Sequence, residues 1–140
     1  MYRVSNNGDT CGRPSVLRIE VFSDLRCSRE INASYIGESG HDYKYGNGSA
    51  VFDNDLLTKW RAQCVPCHKN EAWITFASNE EVKCIKTLRL GQGFGGELEV
   101  RGCKPIEFRD YGIKVEIQMR DGSWKLEMQS HEGNDAIRGT

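Results

Sequence analysis

The sequence lacks a basic stripe, a long apolar run, and any window with a sustained helical period and caps. Each absence removes a class of function. Net charge is −1, from 19 basic and 20 acidic residues spread along the whole length, so the electrostatic footprint of a nucleic-acid binder is missing. No stretch approaches the roughly 18 apolar residues that a membrane-spanning helix requires. The segment from Met1 to Thr10 is polar and carries no apolar signal region, which fits either a cytosolic chain or an exported one already processed. Histidine is scarce: His41, His68 and His131 are the only three, and none has a motif partner. His41 and Asp42 are adjacent, but successive residues of extended chain point apart. A nucleophile, a base and an orienting group do not line up, so the chain reads as non-catalytic. The glycine-rich stretch Gly91–Gly96 lacks both a GK[ST] sequence and a following helix start. Without them it is a connection between strands rather than a phosphate cradle.

What the chain does have is cysteine. Six in 140 residues (Cys11, Cys27, Cys64, Cys67, Cys84, Cys103) form the even, dense set expected where disulfides persist. Asn32-Ala33-Ser34 and Asn47-Gly48-Ser49 are N-glycosylation acceptor triplets and agree with export. The expected location is therefore extracellular or the lumen of the secretory pathway. Six cysteines allow 15 pairings, and the sequence does not choose among them. Cys64-Val65-Pro66-Cys67-His68 also matches the C-x-x-C-H pattern of covalent haem attachment, and the same residues could supply three zinc ligands. The expected state is a disulfide, with a zinc or haem protein built on Cys64, Cys67 and His68 as the alternative. A thioredoxin-like pair would need a helix starting at the first cysteine, and none is visible.

The clearest local pattern is near the C-terminus. Ile113, Val115, Ile117 and Met119 alternate with Lys114, Glu116, Gln118 and Arg120, the period-two signature of a half-buried strand. Asp121-Gly122 predicts a two-residue type I′ turn. Trp124, Leu126 and Met128 then resume the alternation, which gives a hairpin. Further strands are expected at Val16–Phe22, Ala72–Phe76, Val82–Leu90 and Glu97–Arg101. A short helical turn is expected at Asp53–Trp60, and the segment Ile31–Ser49 reads as exposed loop. Short strands with turn signals between them imply two stacked antiparallel sheets or a barrel in one domain, residues 1–140, with its core over about residues 14–130.

The sequence Asp53-Asn54-Asp55-Leu56-Leu57-Thr58-Lys59-Trp60 gathers oxygen-bearing side chains in a turn, as a hard cation requires. Extended to Ser49, it resembles the A-x-x-D-G-[ND]-x-x-T-x-W segment of discoidin-like (coagulation factor type C) domains, which are galactose-binding-like modules. Ala72-Trp73-Ile74-Thr75-Phe76, Val82–Leu90 and Val115–Trp124 are similar to three further strands of that family, in the same order. The likeness covers roughly Ser49 to Leu126. Asn54 stands where the family has glycine, and Asn tolerates the left-handed conformation that such a turn needs. Only 16 residues follow Trp124, while Val16–Phe22 resembles the family's closing strand moved to the front. A circularly shifted sandwich is therefore expected, with Val16–Phe22 beside the strand that follows Glu30.

The resemblance implies an all-β, eight-stranded antiparallel jelly-roll sandwich. It also implies a structural calcium held by the Asp53 and Thr58 side chains and the carbonyls of Ala50, Asp55 and Thr58, with Glu20 as an added carboxylate. Trp60 and Trp73 are expected in the core. Ligands of the family, often sugars, bind on loops at one end, where planar polar groups and an aromatic face meet a sugar ring. The contacts implied here are His41, Tyr43, Tyr45, Arg61 and Gln92. The expected function is a carbohydrate-binding or cell-adhesion module whose partner is a glycan or glycoprotein. The alternative is a protein–protein interaction or structural domain without a sugar site.

Overall fold

A computed structural model of the chain describes residues 1–10, 13–42, 47–55, 57–89, 112–129 and 136–139. The strands expected at Glu97–Arg101 and the glycine run before it lie outside these residues. Two antiparallel sheets account for nearly all the regular structure. The first has the order β4 (Ser34–Glu38), β6 (Trp73–Ala77), β1 (Tyr2–Asn6), β8 (Ile113–Gln118), β9 (Trp124–Gln129). The second has β10 (Ala136–Arg138), β7 (Cys84–Arg89), β2 (Ser15–Phe22), β3 (Glu30–Ile31), and the short β5 (Trp60–Arg61) also pairs with β2. One 3-10 turn, Gly48–Phe52, packs between the layers.

Alternation along the strands builds the core. Val4, Ile74, Phe76, Ile113 and Val115 from the first sheet meet Val16, Ile19, Val21, Ile85 and Ile137 from the second, with Val51 and Trp60 between them. Trp60 is wholly buried, as are Val4, Val16, Val51, Ile74, Phe76, Ile85 and Val115. Removing each such side chain from water stabilises the fold by about 1.5–3 kcal/mol. Tyr2, Val4 and Ile137 belong to this same cluster, so the core reaches past residues 14–130 at both ends. Tyr2 stacks on Phe76 with ring centroids 5.5 Å apart, and its hydroxyl accepts from the buried Val82 N–H at 3.1 Å.

Three expectations change in detail. First, Ile31–Ser49 is not all loop, because Ser34–Glu38 forms the edge strand β4 on β6. A register shift between Tyr35 and Gly37 sets Ile36 outside the ladder, 54% exposed, which breaks the period-two pattern that marks a strand in sequence. Second, the short helical turn lies at Gly48–Phe52, just before Asp53–Trp60; Asn47 caps it by accepting from the Ser49 N–H at 3.0 Å. Third, the β8–β9 hairpin forms, but on a three-residue loop. Met119 and Ser123 close it with an N–H to carbonyl bond of 2.7 Å, the Gly122 N–H returns to the Met119 carbonyl, and Gly122 has φ +88°. Asp121 has no positive φ, as a type I′ turn would demand; instead its carboxylate takes the Ser123 N–H at 2.9 Å.

A second register shift, between Val115 and Glu116, divides β9 between two faces. Met128 opposite Val115 points inward, while Trp124 and Leu126 point outward with Gln118 and Glu116. Trp124 lies under the Arg3 guanidinium at 4.3 Å, and Arg3 pairs with Glu116 at 3.0 Å. Trp73 is half-buried on this outer face rather than in the core, since the neighbouring Ile74 and Phe76 point inward.

β2 lies beside β3, with Val21 opposite Ile31 and Phe22 opposite Glu30. Its long partner is β7, from Val16–Arg89 to Phe22–Cys84. Two disulfides are described: Cys27–Cys84 ties the β2–β3 connection to β7, and Cys64–Cys67 closes a short loop. Among the described residues no cysteine is free.

Candidate functional site

The 3-10 turn ends at Asp53, and the chain reverses through Asn54 at φ +61°, the left-handed conformation that Asn accepts more readily than other residues carrying a Cβ. Reversal brings Thr58 back under the turn. Its hydroxyl donates to Asp53 Oδ2 at 2.7 Å and lies 2.8 Å from the Asp55 carbonyl and 3.5 Å from that of Ala50. The Asp53 and Asp55 carboxylates also take the backbone N–H groups of Asp55 and Leu57, each at 2.9 Å. Oxygens of Asp53, Asp55 and Ala50 thus stand around the Thr58 hydroxyl near the protein surface. This all-oxygen set of one carboxylate, one hydroxyl and two carbonyls fits a hard cation such as calcium, with water completing the six to eight ligands it takes. A bound ion there would hold the turn closed.

Glu20 does not join the group. Ile19 and Val21 point into the core beside Val51, so Glu20 faces the other side of β2, 3.3 Å from Arg18. Arg18 in turn reaches Glu30.

Next to the turn stands a polar cluster that sequence reading missed. Glu38 ends β4 with its side chain only 7% exposed. Its carboxylate accepts from Trp60 Nε1 at 2.6 Å, the Gly48 N–H at 2.7 Å and the Tyr35 hydroxyl at 3.0 Å. His41 Nδ1 lies 3.3 Å away. Burial, followed by the hydrogen bond to Glu38 and its charge, pushes the Tyr35 phenol up to about 12. The signal was obscured because Glu38 falls in a Gly/Tyr/Asn-rich segment without alternation.

Of the implied ligand contacts, His41 is exposed and bridges to Ala62. Arg61 is 8% exposed and its guanidinium lies 3.7 Å from Asp42, which also pairs with Arg13 at 3.0 Å. It is an interior ion-pair member and offers little surface to a ligand. Tyr43, Tyr45 and Gln92 lie outside the described residues.

Cys64 and Cys67 are bonded to each other, so in this state they offer no thiolate to zinc or haem. Glu71, which lies outside the C-x-x-C-H motif, brings its carboxylate within 4.8 Å of both sulfurs. The loop is anchored through Asn6, whose buried amide donates to the carbonyls of Gly8 and His68 and accepts from the Ala72 N–H.

No family model, curated protein or solved structure matches the chain.

Proposed function

We propose that the chain is a non-catalytic carbohydrate-binding or cell-adhesion module, a circularly shifted discoidin-like jelly roll working outside the cell or in the secretory lumen. A structural calcium on the Asp53 turn stiffens one end of the two-sheet scaffold, and the adjoining loops carry the ligand. The observation that supports this most is the gathering of Ala50, Asp53 and Asp55 oxygens around the Thr58 hydroxyl beneath a left-handed Asn54. The discoidin resemblance implies these four atoms together with the Thr58 carbonyl and Glu20, and the four belong to residues up to eight positions apart. Two disulfides are compatible with the oxidising location. Exposed His41, beside the Glu38 cluster that packs against the same turn, is the ligand contact most directly placed at this end.

A glycan array probed with the protein in calcium and again in chelator tests the reading. The expected result is binding to a defined glycan set, weakened in chelator and weakened again by His41→Ala. No glycan binding in either condition, with a protein partner recovered by crosslinking instead, would replace the sugar site with a protein-docking role.

A further inference from the structure

The Cys64–Cys67 pair is unlike Cys27–Cys84. It spans a sequence separation of 3, against 57 for the other. Closing so short a loop removes less freedom from the unfolded chain, so the bond adds about half the stability of the longer one. Nor does the loop depend on it for shape. The Thr10 N–H donates to the Cys67 carbonyl at 2.7 Å, and the Cys67 N–H to Thr10 Oγ1 at 2.8 Å. The Lys69 N–H donates to Asp9 at 2.8 Å, and Asn6 binds the His68 carbonyl. These bonds would survive opening of the disulfide.

Beside the pair stands Glu71, exposed, with a carboxylate oxygen that lies within 4.8 Å of the sulfurs and has no hydrogen-bond or ion-pair partner among the described residues. Two thiolates and a carboxylate are a ligand set for a borderline-soft divalent ion. In tetrahedral zinc coordination, with Zn–S about 2.3 Å, the two sulfurs stand about 3.7 Å apart. Parting bonded sulfurs by that amount requires side-chain rotation alone.

We propose that Cys64–Cys67 is a redox gate over a zinc site formed by Cys64, Cys67 and Glu71. A small dithiol reductant attacks the half-exposed Cys64 sulfur, breaking the Sγ–Sγ bond, and its second thiol then displaces Cys64. The reductant leaves as its cyclic disulfide, two electrons and two protons having passed to Cys64 and Cys67. Zinc binding then releases the two thiol protons to solvent, and water fills the fourth position. His68 is not among the grouped ligand atoms and takes no part.

Cadmium and zinc are the probes, on the full chain. After limited treatment with a dithiol, peptide mapping of alkylated protein should find Cys64 and Cys67 free and Cys27–Cys84 intact, with unchanged circular dichroism. This partly reduced protein should take up one equivalent of cadmium with a thiolate charge-transfer absorption, and zinc should displace it. The untreated protein and C64S/C67S should give no such band. E71Q should weaken zinc at least tenfold, and H68A should leave affinity unchanged. The proposal is overturned if Cys27–Cys84 opens first, if the reduced protein shows no band, or if H68A weakens binding while E71Q does not.

Discussion

The Trp60 indole donates its N–H to Glu38 at 2.6 Å, joining a fully buried aromatic ring to a carboxylate at the end of an edge strand. That carboxylate also holds the Gly48 N–H, the first residue of the 3-10 turn, so the turn, the edge strand and the core ring share one acceptor. Glu38→Ala takes this acceptor from the Gly48 N–H and the Tyr35 hydroxyl and leaves Trp60 Nε1 the Gly40 carbonyl at 3.1 Å, and should cost about 2–3 kcal/mol. Denaturant unfolding measures it, and a loss below about 1 kcal/mol would show that water replaces the carboxylate without penalty.

Burial first, and Glu38 after it, set the titration of Tyr35. The folded phenol titrates at about 12, above its ordinary 10, so the folded state holds this proton more tightly than the unfolded chain. The associated stability is fully present below pH 10 and is lost as pH rises through about 12. Phenolate absorbance should show a late-titrating step that disappears in Tyr35→Phe. Glu38→Gln should move that step toward neutral pH, while the part due to burial remains.

Calcium at the Asp53 turn should raise the melting temperature. At an ion concentration a hundredfold above Kd the gain is about 2.7 kcal/mol. Asp53→Ala should abolish the dependence on calcium; equal melting temperatures in calcium and in chelator for the unmodified protein would remove the site.

Asn54 isolates the turn from the ion. At φ +61°, Asn54→Gly should be neutral or slightly stabilising, and Asn54→Val should cost about 1–2 kcal/mol through the left-handed backbone alone. Thermal unfolding in chelator reads this directly, and equal effects of Gly and Val would show that the turn tolerates another conformation.

The two disulfides should differ in proportion to the chain they close. Loop entropy assigns about 4 kcal/mol to Cys27–Cys84 and about 2 to Cys64–Cys67. Urea titration of the paired alanine variants gives the order, and a larger loss at Cys64–Cys67 would reverse it.

The all-β class was legible because β2, β6, β8 and β9 carry apolar residues at alternate positions over at least part of their length, with turn signals between them. Asn54 was legible because so few residues accept its backbone angles. β1 was not: Tyr-Arg-Val-Ser-Asn offers only Tyr2 and Val4 as apolar positions, and its burial comes from the strands on either side. β4 was hidden by its bulge, and β10 by having three residues. Glu38 and Glu71 matter through neighbours distant in sequence, Trp60 and Gly48 for one and two sulfurs for the other, and no spacing rule reports such meetings.

β1 sits at the centre of its sheet, with Tyr2 opposite both Phe76 and Ile117. β1 therefore gains its second neighbour only when β8, more than a hundred residues later, reaches it. On a ribosome, β1, β4 and β6 would emerge before β8 and β9, leaving β1 as an open edge until they arrive. Contacts of such long sequence separation slow the search for the native arrangement. Exposed ladder edges in the interval are where a chaperone would act.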